Sequence, residues 1–595
     1  MKRLLPRCLF FFRARPLLAA LCFGLALLLA FNLYRGLSPE TGSEQVAEAG
    51  AIQPGQAGGD PAAGDAFADA TESNENPSEE GSSSAGASPD AENPSLRPIG
   101  DYPILTRADR VDIEGQPAPR IPRGRNERRV LDTHVDREVA RDNPEPIRPF
   151  GQALPARENS LFAHDRFSKS AVEVGISHRL FHQAALGTRH RMVVPLTEDE
   201  EVTVDLKKVV DRGPHTFSFV GTVEEHPDSV AILVYNEGTL TGDISLYGED
   251  TLDSRHFGFQ AMEDGLVAVR ELDAAVIHQQ ECAACGEVHG EEVLHDPTDP
   301  LVTGDVVISA DEPMDGDAEH LVDIVVGYGR QARIADGGVS AIEGRIIASV
   351  ERMNISFANS LVSNTQLVLL GMVEDPDYEF PGSNSGSQLE ELNNLNMAGD
   401  GILDTVSSLR TDLGADFNAF IMRDADGSAG IAFRPGSAAI VGRTYMTNTR
   451  VVFAHELGHN FGLKHAWADT AGHDSETSGY NYGWRLRSGN TKRRSVMAYD
   501  WSWQRTMHFA NPAVTHPSLG VPTGAVDGYD ATGDDSTDSR FVDGGKQGDA
   551  GPGFDGSHPE LGARSADYLF DNAGSRASLR SRAGLGVTRP GLSGL

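Results

Sequence analysis

The chain has 595 residues, enough for several folded domains, of which 39% are hydrophobic and 23% charged. Its 51 Lys and Arg stand against 87 Asp and Glu, a formal charge of −36. So acidic a chain excludes itself from the usual nucleic-acid binders, and no nucleic-acid partner is expected; it suits a solvated surface outside the cytoplasm.

Lys2, Arg3, Arg7, Arg13 and Arg15 precede an apolar run from Leu17 to Leu33, which Arg35 closes. A positive flank ahead of an apolar run directs export, with the flank kept inside. The run is at the short limit for spanning a bilayer. No A-x-A site follows it, and Cys22 lacks the small residue before it that a lipoprotein signal needs. Residues 1–35 therefore read as a signal peptide or a signal-anchor helix. The expected location is extracytoplasmic: a single-pass anchor with the N-terminus inside and the membrane as partner, or a secreted protein. Of the four cysteines, only Cys282 and Cys285 then reach the exported part.

Residues 36–155 read as a linker. From Gly36 to Pro98 the chain is Ala, Gly, Ser, Pro, Asp and Glu with almost no aromatics, too little apolar surface to offset chain entropy, which makes it a disordered acidic tether. RGRNERR at 123–129 is a solvated linker or a trypsin-like processing site.

The texture then changes. VTVDLKKVV (202–210), HTFSFVGTV (215–223), SVAILVYN (229–236) and LVAVREL (266–272) are strand-like runs separated by turn residues, so residues 156–295 are expected to form a small β-rich domain. Cys282 and Cys285 close it as CAAC. Three readings stand: a cysteine switch in which one thiolate occupies a metal position, half a metal site with His289, or a local disulfide. The acidic stretch from Gly286 to Glu319 reads as an exposed connector.

Residues 318–526 alternate between the two periodicities. LVDIVVGYG (321–329), QLVLLGMVE (366–374) and FNAFIMRD (417–424) are strands, whereas 340–360 and 402–414 carry apolar residues at helical spacing. GIAFRP (430–435) is a candidate edge strand. Asp424, Asp426 and Gly427 resemble the start of a calcium loop, without Glu at the twelfth position, so Ca2+ is a minor expectation.

Residues 455–465 read HELGHNFGLKH, followed by SVMAYD at 495–500. On a helix His455 and His459 stand at i and i+4 and project from one face, while Phe453, Leu457 and Phe461 supply the core side. Gly462 accepts the left-handed conformation that stops a helix. The turn can bring His465 back as a third nitrogen ligand, leaving a fourth zinc position for water within reach of Glu456 as general base. Beyond it, residues 527–560 are Gly- and Asp-rich and read as a loop, and 565–582 as a short closing helix within 561–595.

HExxHxxGxxH with a following Met-turn resembles the metzincin clan of zinc endopeptidases, and the flanking sequence resembles its bacterial reprolysin-like (adamalysin-type) family. The resemblance implies an α/β (α+β) catalytic domain with a mixed sheet and a long metal-binding helix at 450–461. It implies that His455, His459 and His465 bind one Zn2+, that Glu456 is catalytic and that Met497 lies beneath the metal. Ala466 follows the third histidine where adamalysins usually carry Asp, and Ser495-Val496 stand where they often carry Cys. SVMAY is closer to serralysins and astacins, in which the Tyr two residues after Met is a metal ligand. Tyr499 is thus an auxiliary ligand, an oxyanion donor or a packing residue. The β-rich domain resembles reprolysin-like propeptides, and the edge strand at 430–435 is where this family pairs an extended substrate by strand addition.

The expected function is hydrolysis of peptide bonds in protein or peptide substrates by a zinc-bound water that Glu456 activates, in an enzyme made as a latent precursor. The alternative is a catalytically silent zinc-binding or adhesion domain tethered to the membrane; it would normally show a damaged motif, and all five motif positions are intact.

Overall fold

The computed structural model describes residues 128–131, 134–157, 168–248, 253–262, 265–273, 318–375, 378, 389–396, 399, 401–423, 429–466, 480–488, 491–499, 503–525 and 563–580, and residues 285–288 and 385–388 by backbone. The N-terminal apolar run, the acidic tether, Cys282, the Asp424–Gly427 stretch and the Gly/Asp-rich loop lie outside the described residues. Among those described, no helix is long and apolar enough to cross a membrane.

A first strand, β1 (Arg129–Val130), precedes an antiparallel sheet of ten strands. These are β2 (Val135–Glu138), β3 (Leu154–Pro155), β4 (Ser168–Val174), β5 (Arg191–Pro195), β6 (Glu201–Asp211), β7 (Thr216–Val223), β8 (His226–Asn236), β9 (Thr239–Leu246), β10 (Arg255–Ala261) and β11 (Val267–Leu272), with helix α1 (His178–Ala185) between β4 and β5. From β6 to β11 each strand pairs with the next, because short turns join them. The β8–β9 turn has positive φ at both Glu237 and Gly238, the type I′ geometry that matches strand twist. Ser177 caps α1, and Phe181 on that helix stacks on Tyr235 with ring centroids 5.4 Å apart and meets Phe150 edge-on at 5.5 Å.

Residues 129–155, which the composition assigns to the linker, contribute β1, β2 and β3. The boundary expected at 155 is therefore too late. Paired backbone and a few apolar anchors, Leu131, Val139, Ile147 and Phe150, hold this stretch, and anchors so widely spaced leave no periodic signature.

Strand β12 (Cys285–Val288) is followed by the second half: β13 (His320–Gly329), α2 (Arg330–Asp336), α3 (Val339–Asn359), β14 (Thr365–Asp375), α4 (Ser385–Asn396), α5 (Asp404–Leu413), β15 (Phe417–Met422), β16 (Gly430–Phe433), β17 (Ala438–Gly442) and α6 (Val452–Phe461). Three short strands, β18 (Arg485–Ser488), β19 (Thr491–Arg494) and β20 (Gln504–Arg505), and a last helix, α7 (Ser565–Arg576), complete it. The seven-stranded sheet runs β1-β14-β13-β15-β17-β16-β12. It is mixed: β14, β13, β15 and β17 are parallel, while β1 and β16 run antiparallel to their neighbours β14 and β17. The parallel strands are buried on both faces and read as apolar runs, for which helices on both faces are the reason.

Two features depart from expectation. The metal helix α6 spans ten residues rather than forming a long helix. And β16 is not a free edge: β12 pairs with it in parallel register, Cys285 opposite Gly430 and Val288 opposite Phe433. Thus β12 joins the second half of the molecule, not the β-rich domain that the sequence has it closing.

Candidate metal centre

Helix α6 begins at a strained point. Val451, a β-branched residue, has φ of 52°, a conformation that costs on the order of 1–3 kcal/mol and persists only where surroundings impose it. The Val451 N–H donates to Thr447 O at 2.8 Å, and Arg505 donates to the Arg450 carbonyl. At the other end Gly462 is left-handed, with φ of 104°. The Gly462 and Leu463 N–H groups donate to the carbonyls of His459 (2.7 Å) and Gly458 (2.9 Å), closing a Schellman motif. The Asn481 amide holds the Gly462 carbonyl at 2.5 Å, and the Lys464 N–H donates to Asn481 O at 2.9 Å, which fixes the chain leading into His465.

One ring nitrogen each of His455, His459 and His465 gathers within 4.8 Å of the others. His465 Nε2 lies 3.2 Å from His455 Nε2 and 2.9 Å from His459 Nε2. Two nitrogens bound tetrahedrally to one ion at about 2.1 Å stand roughly 3.4 Å apart, so the cluster has the size of a zinc site. The remaining nitrogens are engaged: His455 Nδ1 faces Val496 O at 2.8 Å and His459 Nδ1 faces Leu463 O at 2.9 Å, which leaves Nε2 as the lone-pair donor. Burial, reinforced by the positive character of His459, Arg505 and His465, holds His455 well below its ordinary range, and a metal needs that neutral form.

Glu456 is 0% exposed, and among the described residues neither of its carboxylate oxygens has a hydrogen-bond partner. Burial pushes its carboxyl well above the usual range, with Arg505 opposing. A buried carboxyl without a protein partner is costly unless something else answers it. A zinc ion and its attendant water fit beside this carboxyl and the three converged imidazoles. The carboxyl abuts β16: a Cβ built on Gly430 would stand 2.6 Å from Glu456 Oε1.

Met497 is fully buried beneath the helix, and a Cβ on Gly458 would overlap its Sδ, so the Met-turn passes close only because position 458 lacks a side chain. Ser495 and Trp484 clamp the turn reciprocally: Ser495 N–H to Trp484 O at 2.9 Å, and Trp484 N–H to Ser495 Oγ at 2.9 Å. The Tyr499 ring lies 4.2 Å from the His465 ring and 5.4 Å from that of His455, so it is at the cluster in ring contact. Cys285 is placed by backbone register opposite Gly430, one strand from Glu456.

Two arginines escaped the sequence reading. Arg494 and Arg505, both buried, donate to the Ala498 carbonyl in the Met-turn at 3.1 and 3.3 Å. Asn460, also unnoticed, donates to Phe433 O at 3.0 Å and Ala438 O at 2.9 Å and ties α6 to β16 and β17. Their positions beside known motif residues were the only available signal.

Residues 318–522 match the model of the metallo-peptidase family M12B, reprolysin-like. Among solved structures, a metalloproteinase-II from Bacteroides fragilis aligns at 12% identity and a TM-score of 0.30, over 54% of this chain and 87% of that one. An archaemetzincin from Methanopyrus kandleri aligns at 16% identity and a TM-score of 0.17, over 24% of this chain and 76% of that one. Scores this low carry neither fold nor function from those proteins to this chain. No curated protein matches it. Residues 318–522 thus match a reprolysin-like metallopeptidase family, M12B, and that match supports reading the chain as a zinc metalloendopeptidase.

Proposed function

We propose that the chain hydrolyses peptide bonds of protein substrates at the His455, His459 and His465 cluster, with Glu456 as general base and acid. A zinc ion held by these three residues would supply Lewis acidity, bringing the pKa of water to about 7. The Glu456 carboxylate takes the proton of the attacking water and hands it to the departing amine. In this reading the Tyr499 hydroxyl steadies developing negative charge, a role that the ring contact with His465 supports. The observation that carries this reading is Glu456 itself, buried, without a hydrogen-bond partner among the described residues, beside three converged imidazoles.

The finer part of the reading is latency. An endopeptidase must admit an extended chain, yet the three histidines and Glu456 are all buried. β12 lies along the outer edge of β16, where a substrate strand would add. In this reading residues 285–288 hold the precursor inactive by occupying that edge, Cys285 being the switch cysteine. The N-terminal apolar run then anchors or exports the precursor, and membrane fractionation of cells making the full chain tests it: recovery only in the cytosol would end that part.

The test of the activity is casein cleavage by the full-length chain, before and after limited proteolysis of the connector. It is run with and without a zinc chelator and beside Glu456→Gln. Chelator-sensitive cleavage that appears after connector cutting and is absent from the variant is the expected result. Equal cleavage by the variant would remove Glu456 from the chemistry.

A further inference from the structure

The second face of the β-rich domain is occupied. Every residue of β9 is buried, although a sheet with one core side should alternate. The cover is α3, the 21-residue helix of the metallopeptidase half. A Cβ on Gly344, in the middle of α3, would overlap the Thr241 hydroxyl of β9, so helix and strand approach as closely as a glycine allows. Ile232 and Val234 of β8 belong to the same apolar cluster as Ile324, Ile346 and Met353 of the metallopeptidase half.

Charged groups cross this surface in matched pairs. Arg212 Nη2 donates to Glu351 at 2.6 Å, with side chains 0% and 1% exposed. Arg352 pairs with Asp243. Arg129 donates to Glu343 at 2.7 Å and to Thr216 at 2.6 Å and Asn236 at 2.8 Å, so one side chain spans both halves. Its strand, β1, is the outer strand of the metallopeptidase sheet, Arg129 opposite Met372. This arginine ends the RGRNERR stretch read above as linker or processing site; it is an internal tie. The contact also reaches the metal helix: Asn448, four residues before the start of α6, donates to Val230 O and Asp243 O of the β-rich domain, both at 3.2 Å, and accepts from Arg352 at 2.8 Å.

We propose that the β-rich domain, residues 128–273, is a permanent half of the metallopeptidase unit: when the connector is cut, it stays bound without a covalent link. Only the segment carrying β12 has to leave the β16 edge. A surface built for release would not share an apolar core, donate a strand to its partner's sheet and commit buried charges on both sides. The inference rests on packing and stands whether or not the metal centre is catalytic.

The experiment inserts a site-specific protease sequence between residues 289 and 317 of the full-length chain, cuts it to completion and follows the fragments by size-exclusion chromatography on serial dilution. Co-elution at the size of the uncut chain is expected, with separation only in denaturant. Separation in native buffer would overturn the proposal. Arg212→Ala, cut in the same way, should dissociate at a protein concentration about a hundredfold or more higher, since it strands Glu351 in the interface; dissociation identical to the unaltered cut chain would mean that the buried pair does not hold the halves together. Should this variant fail to fold, the dilution series on the unaltered sequence still decides. Elution is read independently of activity, so a silent metal centre and a releasable domain give different results.

Discussion

Helix α6 is buried along its length and α3 along most of its length, both carry ionisable residues, and both have an internal glycine against which another element packs. Their charges differ in how they are answered. On α3, Glu343, Glu351 and Arg352 each meet an opposite charge from the β-rich half. On α6, Glu456 meets no hydrogen-bond donor among the described residues. A buried charge answered by the protein reports assembly; one left for something else to answer reports chemistry.

Exchanging Glu for Gln on the two helices tests this contrast most severely. Glu456→Gln should lower kcat/KM by about 10²–10⁴-fold, as loss of a general acid–base group does, while zinc content is kept and the melting temperature does not fall. Glu351→Gln should do the reverse: destabilise by about 3–5 kcal/mol through the stranded Arg212, with zinc content unchanged, read by denaturant titration. A stability loss in the first variant as large as in the second would erase the distinction.

The glycines sharpen it. Gly344→Ala and Gly458→Ala should each cost about 1–3 kcal/mol by overpacking, against Thr241 and Met497 respectively. Only the second should also reduce zinc occupancy, because Met497 lies under the ligands; equal zinc in both would make the Met-turn contact merely structural. Tyr499→Phe should give a smaller effect, a rate loss of up to about 10²-fold with metal retained, and an unchanged rate would leave the ring a packing role.

The smallest effect concerns the two halves as one cooperative unit. Burial lowers His178 in the β-rich half to about 4, and His508 in the metallopeptidase half to about 3. Both rings are neutral when folded, so below pH 6.5 the unfolded chain binds protons that the folded chain does not. Their contribution is whole above pH 6.5 and is lost as pH falls through about 4 and 3. A single melting transition that moves down across this window is expected, and His508→Gln should flatten its acid limb. Two transitions with separate pH dependences would count against one unit.

The motif was legible because its chemistry is local. Two histidines four apart, a glycine that ends the helix and a third histidine six residues on specify most of a metal centre within eleven positions. The long strands of the metallopeptidase half were legible too, as apolar runs. Strand β9 was not, because TLTGDISL shows no alternation when both faces are covered; its signal was the NEG turn ahead of it. Residues 129–155 read as linker because their apolar anchors, such as Val139, Ile147 and Phe150, are widely spaced, and the partners of Arg129 lie about a hundred and two hundred residues away.

By itself the sequence determined the clan, the metal ligands proposed here and the alternation of strand and helix around them, since short-range spacing controls which side chains share a face. Only the tertiary structure decided that α3 has a second, charged face covered by another domain, that β16 carries β12 on its outer edge, and that Glu456 meets no hydrogen-bond donor among the described residues. Each depends on pairing between segments far apart in the chain, and neither hydrophobic period nor composition encodes which distant surface will meet which.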